Sequence, residues 1–515
     1  MNNKRIAKNT LFLYLRQLLV MLVSIYTSRV VLETLGVVDY GIYNVVGGVV
    51  VMLSFLNGTM ASATQRFLSY EMGKGEEGNL QRVFAVTLQL HVVIALIVVL
   101  LAETVGLWLL YDKMQIPAGR FTAALAVYHC SVLSVVFTIM SVPYNAVIIS
   151  HEHMSAFARI SIIEVVLKLG IVYLLWLFVG DRLILYAVLM LLAAVLVRFI
   201  YMIYCKKHYF EVKYIHVYDR YLMREMLSFA GWNMLSNIVA MANTQGVNIL
   251  LNIYFGPIVN AARGLAVQVQ NAVSMFCMNL QMSVQPQMTK SYAAGLYPDA
   301  KKLMFRAALF SYYLLLMLAL PLYLRMEEVL AIWLVDVPEH TAAFVRILIS
   351  CNLLWAFTIP ITNMINSTGC NRTANILHSV IVGMCLPLSY IAFKHGASPE
   401  VALFFMFLLE VISMFVRKAV LRKLFPLFSV RDFIVKVYLK SACVTVVSFV
   451  MPAILSCRLG GTFVDTMAVG VVSVFSVALC AYFLGLTKRE RQYLKNMFTI
   501  YIKSKNESQK SRFLS

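Results

Sequence analysis

Apolar windows of about 20 residues, the length that crosses a hydrocarbon core, recur from Leu11 to Leu486 with only short polar breaks between them. Lipid offers no partners for backbone N–H and C=O groups, so each window predicts a helix bonded within itself. In order they predict six spans between residues 9 and 205, six between 226 and 422, and a terminal pair at 434–456 and 463–486. The fold class is therefore an all-α integral membrane protein of about 14 transmembrane helices, as two parallel six-helix halves plus a terminal helix pair. The segments are an N-terminal half at 1–205, a basic linker at 206–225, a C-terminal half at 226–424, the pair at 425–486 and a basic tail at 487–515. The first window runs to about Leu35 without a small-residue cleavage site and reads as a retained span, not a signal peptide.

The division into halves rests on matched turn and kink residues. Leu35-Gly36 follows the first span and Phe255-Gly256 the seventh, 220 residues apart; the same offset pairs Gln65 with Gln285, Gly75 with Gly295 and Arg82 with Lys302. Val142-Pro143 and Ile359-Pro360 are 217 apart, as are Ser150 and Ser367. Six is an even number, so both halves enter the membrane from the same side. Parallel repeats facing each other enclose a central cavity, and rocking one against the other gives alternating access.

Composition and charge sharpen this picture. Hydrophobic residues make up 61% of the chain and charged residues 13%, a balance suited to lipid. With the N-terminus in the cytoplasm, about 31 Lys and Arg fall inside and about six outside, an orientation signal that also accounts for the net charge of +20 without nucleic acid. The outer six are Lys113, Arg120, Arg182, Arg325, Lys394 and Arg458. Both termini are thus expected in the cytoplasm. The nine cysteines have no C-x-x-C spacing and no histidine cluster beside them, so neither a metal nor a disulfide is expected, and no cofactor. No Walker loop, G-x-S-x-G or H-E-x-x-H is present, which argues against an enzyme.

Candidate chemistry lies in polar groups at membrane depth, each of which needs a partner or a watery cavity. Arg29 in span one, Arg66 in span two and Arg263 in span eight are the candidate anion site, because a guanidinium is a permanent charge with a planar fork of donors. Arg16 ranks lower, nearer the cytoplasmic entrance. The amides Asn57, Gln65, Asn237, Asn248, Gln268 and Asn271 are the expected cavity lining, within a density of amides in span seven that also includes Asn233 and Asn243. Glu164 and Lys168, four apart on one helical face, and Glu103 are the candidates for H+ or Na+ coupling, the pair reading first as mutual neutralisation. His91, His378 and Glu410 are weaker candidates, and Asp39 reads as a cap of the second span.

Asn9-Thr10, Tyr26-Thr27-Ser28-Arg29 and the turn Leu35-Gly36-x-x-Asp39-Tyr40-Gly41-Ile42-Tyr43-Asn44 give the chain a resemblance, from about Asn9 to Leu486. It resembles the bacterial polysaccharide flippases of the multidrug, oligosaccharidyl-lipid and polysaccharide exporter superfamily. The resemblance implies an inner-membrane transporter flipping undecaprenyl-diphosphate-linked oligosaccharides to the periplasmic leaflet for O-antigen, capsule or exopolysaccharide. Its implied partners are that lipid-linked oligosaccharide, membrane lipids, a polysaccharide polymerase and glycosyltransferases. Related flippases of the superfamily use arginines on the helices that carry Arg29, Arg66 and Arg263 here. The rival reading is a cation-coupled multidrug exporter, which favours carboxylates and aromatics in the cavity, where this chain offers arginines and amides.

Overall fold

The structure is a computed structural model. It describes residues 3–53, 55–112, 116–178, 180–213, 215, 217–334, 337–487 and 491–492; side chains at 3–8, at several positions between 24 and 57, and at Ala118 and Pro257 lie outside that description. Arg29 and Asn57 are among the latter, and the basic tail is described only at Thr487, Arg491 and Gln492.

All regular structure among the described residues is helical. In chain order the rods are α1 (3–35), α2 (37–53 with Phe55–Gly73), α3 (Leu80–Asp112), α4 (Phe121–Ser150), α5 (Met154–Trp176) and α6 (Arg182–His208). The second set is α7 (220–255), α8 (257–293), α9 (Tyr297–Leu324), α10 (Thr341–Thr368), α11 (Arg372–Lys394) and α12 (Glu400–Leu424). α13 (Val430–Arg458) and α14 (Phe463–Gly485) complete the bundle. Eight of the rods, α3, α4, α6, α9, α10, α11, α13 and α14, are long and apolar enough to cross a membrane by that criterion alone. The other six do not meet it among the described residues.

The repeat is written into the backbone. Gly36 and Gly256 are the non-helical residues between α1 and α2 and between α7 and α8, at φ +77° and +81°. A Cβ at either would meet nothing, so glycine is required there by conformation and not by space. Gly75 and Gly295 share a positive φ at the same offset, and Glu152 matches Gly369 in the turns after α4 and α10. Hydrogen bonds repeat as well. Ser69 pairs with Ser150 at 3.2 Å between α2 and α4, and Thr289 with Ser367 at 2.9 Å between α8 and α10.

At the distal end, where α1 finishes, the first half is clamped by one residue. Arg120 donates from Nε to Asp39 Oδ1 at 2.8 Å and from Nη1 to Asp181 Oδ2 at 2.7 Å, while its Nη2 reaches the second oxygen of Asp39. Asp39, expected to cap a helix, thus gives both oxygens to Arg120. The start of α2 and the segments leading into α4 and α6 are tied together through a fork that Asp39 fills in bidentate fashion. The second half repeats the clamp with His340 and Glu400. Burial alone would raise the Asp181 carboxyl, but Arg120 and the N–H groups of Ile184 and Leu183 outweigh it and hold it below the usual carboxylate range. A carboxylate depressed in the fold contributes stability above its unfolded value of about 3.9 and loses it as pH falls through the folded value. Purified Asp181→Asn is therefore expected to melt below wild type from pH 7 to 5, the two curves converging only below about pH 3.9. Convergence already at pH 5 would contradict the clamp.

The terminal pair packs on α9, outside the two halves. Tyr312 bonds Thr445 at 2.8 Å, and Tyr313, Leu316 and Leu320 share an apolar cluster with Val444, Val477 and Ala481. Arg325, at the end of α9, donates to the carbonyls of Ser456 and Leu459 at 2.7 and 2.9 Å, satisfying acceptors left open at the end of α13.

Candidate functional site

The two halves touch at the basal end, which carries the start of α1 and the end of α8. Thr10 Oγ1 lies 2.8 Å from Ser283 Oγ, Tyr14 donates to the Phe276 carbonyl at 2.9 Å, and Gln17 Nε2 reaches Met275 Sδ at 3.0 Å. Glu152, 5% exposed, accepts from Gln287 Nε2 at 2.8 Å and Lys290 Nζ at 2.9 Å. A Cβ on Gly73 would stand 2.5 Å from both the Lys290 carbonyl and the Ala293 Cβ, so backbone meets backbone there. These hydrogen bonds and ion pairs tie the halves together at the basal end of the bundle.

Arg66 lies at that end. It is 5% exposed, its guanidinium lies 4.5, 4.7 and 5.6 Å from the ring centres of Phe67, Tyr70 and Phe229, and Glu225 stands at 4.0 Å. Its Nη2 fills the space beside Gly369, where a Cβ would come within 2.5 Å. Arg263, 2% exposed, donates to the Thr244 carbonyl at 3.1 Å and to the Asn248 side chain, stitching α7 to α8. At about 1.5 Å of rise per residue from the paired glycine turns, Arg66 and Arg263 lie about 35 Å apart along the bundle. They do not converge on one group. Asn233 and Asn243, expected on the cavity, are spent on α11: Asn233 accepts from Asn371 and Asn375, and Asn243 donates to the Val382 carbonyl at 2.8 Å. Gln268 and Asn271 are exposed on the α8 stripe that continues from Met275, and Asn237 is exposed on α7. Gln65 is half-buried with its Nε2 unbonded.

Chemistry collects instead inside the first half. A chamber of about 590 Å³ is walled by α1, α2, α4, α5 and α6 and lined by Arg16, Glu164, Lys168, Ser161, Tyr43 and Tyr201. Along its α4 wall run Ser131, Ser134, Thr138, Ser141 and Asn145, at three- and four-residue steps that keep one helical face. That spacing of small polar residues in span four is a signal the sequence reading passed over, as it ranked Arg16 below the other arginines. Arg16 donates to Ser161 Oγ at 3.3 Å and to Gln17 Oε1 at 3.5 Å, while its Nε has no partner. Lys168 and Glu164 form an ion pair at 2.6 Å. Glu103 lies 3.3 Å from His129, both substantially exposed, away from the chamber.

The second half fills the corresponding interior with paired side chains. Asn352 donates to the Gln270 carbonyl at 2.9 Å, Gln281 to Ser311 at 2.8 Å, Asn363 to Gln281 at 3.2 Å and Arg417 to Thr362 at 2.5 Å, and His378 bonds Ser413 at 2.7 Å. A separate crevice of about 500 Å³ between α8, α9 and α14 is apolar throughout and offers a sugar or an anion no partner.

Residues 6–292 match the family model described as polysaccharide biosynthesis protein. No curated protein matches the sequence. Among solved structures, an outward-facing multidrug resistance MATE family transporter of the MOP superfamily is similar at TM-score 0.70 and 12% identity, covering 82% of this chain and 96% of that one. The bent form of the Vibrio cholerae MATE transporter VcmN is similar at TM-score 0.66 and 15% identity, over 84% of this chain and 99% of that one. A MOP superfamily transporter from Pyrococcus furiosus, described by the reverse polarity of its binding pocket, is similar at 0.67 and 12%, over 81% and 95%. At these identities the likeness is one of fold.

Proposed function

Because the chain belongs to the polysaccharide biosynthesis protein family, we propose that it is a transporter that flips undecaprenyl-diphosphate-linked oligosaccharides between leaflets by alternating access. In this reading the basal end faces the cytoplasm, as the excess of Lys and Arg there requires, and the membrane is the bacterial inner membrane. The ties between the halves then lie on the cytoplasmic side. Enzymes that build and polymerise the glycan are its partners on either side.

The observation that carries the reading is the chamber of the first half, polar along one wall and cationic on the other. Such a site suits a hydroxylated, anionic head that cannot cross hydrocarbon unaided. The fold likeness to MATE transporters favours a second reading, a cation-coupled drug exporter. It is the weaker one because the chamber carboxylate, Glu164, is already taken by Lys168. That pair is also the place where a coupling proton would act, by releasing Lys168.

The test is deletion of the gene followed by analysis of undecaprenyl-linked intermediates. Flipping predicts their accumulation on the inner leaflet and loss of the surface glycan. Sensitivity to cationic dyes with intact glycan would establish the exporter instead.

A further inference from the structure

We infer that the chamber of the first half, and not the cleft between the halves, is the sugar subsite, and that it selects a run of sugar hydroxyls carrying a single negative charge. The inference rests on the flippase reading and adds to it where the head is held and what distinguishes it. On α4, Ser134, Thr138 and Ser141 donate their protons to carbonyls of their own helix, those of Cys130, Ser134 and Phe137, each at 2.8 Å. A hydroxyl used in this way presents only lone pairs to its surroundings. Asn145 adds a buried Oδ1 with no partner. The wall is therefore a ladder of acceptors, about 21 Å long from Ser131 to Asn145. Donors must come from the ligand, and sugar hydroxyls supply them at intervals along a chain.

Opposite the ladder, the charges of Glu164 and Lys168 cancel at 2.6 Å. Arg16 has no carboxylate within ion-pair distance among the described residues and keeps an unbonded Nε. The chamber thus carries one uncompensated positive charge. A cationic drug is repelled there, a hydrocarbon tail would strand the acceptors, and a neutral glycan would leave the guanidinium unanswered. The volume of about 590 Å³ falls within the range of small-molecule sites. The anion that meets Arg16 is either a sugar carboxylate or the phosphate nearest the sugar, and the chemistry is the same.

Binding of three probes to the purified full-length protein in lipid nanodiscs tests this by calorimetry: a uronic-acid trisaccharide, a neutral trisaccharide and a short-chain prenyl diphosphate. The acidic trisaccharide is expected to bind at least tenfold tighter than the neutral one. Arg16→Ala should remove that preference, Arg16→Lys should keep most of it, and Thr138→Val, which removes one acceptor at constant shape, should weaken the trisaccharide several-fold. Arg263→Ala, outside the chamber, should leave all three unchanged. Binding of the prenyl diphosphate that depends on Arg16 would identify the anion as the carrier's phosphate; dependence confined to the uronic acid would identify an acidic sugar. Undiminished binding in both Arg16→Ala and Thr138→Val overturns the subsite. The two readings fail separately: a deletion strain that accumulates lipid-linked intermediates, yet is fully restored by Arg16→Ala and by Thr138→Val, rejects the subsite and keeps the flippase.

Discussion

Gly73→Leu is expected to abolish surface glycan while the protein still inserts at its normal level. At this position α2 and α8 meet through their backbones, and even a methyl group would lie 2.5 Å from the Lys290 carbonyl and the Ala293 Cβ. Neither contact is the flexible tip of a side chain, so the halves themselves must separate, and the ties that depend on their approach fail. Closure can be read directly. In a background with the nine native cysteines replaced, Thr10→Cys and Ser283→Cys should form a disulfide readily, since the native hydroxyls lie 2.8 Å apart. With Gly73→Leu added, cross-linking should fall at least tenfold. Equal cross-linking in both backgrounds would show that the helices can slide past the added bulk and that Gly73 does not set that approach.

The second large effect is expected at Glu152. Its φ of +61° is costly for a residue with a Cβ, by about 1 kcal/mol, and the matching turn of the other half uses Gly369. The strain places a carboxylate where Gln287 and Lys290 of the opposite half can both donate to it. Charge-assisted bonds of this kind contribute about 2 kcal/mol, roughly thirty-fold in a two-state ratio. Glu152→Gln should therefore lower trapping of the Thr10–Ser283 pair by about that factor and speed labelling of basal cleft residues from the cytoplasmic side. The exchange Glu152→Lys with Lys290→Glu should recover most of the trapping. If the single variant traps like wild type, the latch does not hold this state.

Much of the architecture was legible in the sequence because lipid leaves the backbone few choices. Helical windows and the glycines at residues 36 and 256 mark where regular structure must run or turn, and the fold places each accordingly, with the prolines at residues 143 and 360 inside α4 and α10. The assignment of side chains within the cavity was harder, and for a physical reason. A charge in an apolar run shows that something must satisfy it, but not what. Arg66 meets aromatic rings and a carboxylate of the other half, and Arg263 meets Thr244 and Asn248 of the preceding helix, partners far off in sequence or hidden across a hairpin. Arg16 was ranked down for its depth, yet depth says little about which neighbours leave a void. The α4 ladder was visible in spacing alone, but hydroxyls in membrane helices so often bond their own backbone that a row of them draws little notice.

The basal ties also bound how the molecule can be driven. Among the described residues six side-chain links join the halves there, each contributing about 1 to 2 kcal/mol net to the closed state. Reversing any such preference takes a ligand that favours the opposite state by more than the links favour the closed one, and a ligand held at micromolar strength brings about 8 kcal/mol of binding free energy in all. A cargo whose preference for the opposite state exceeds what the links contribute can throw the switch unaided. What the cargo cannot supply is direction, because the same arithmetic works from either leaflet. Net export requires its removal on one side or an ion gradient, and a protein reconstituted without either should exchange its cargo in both directions at equal rates.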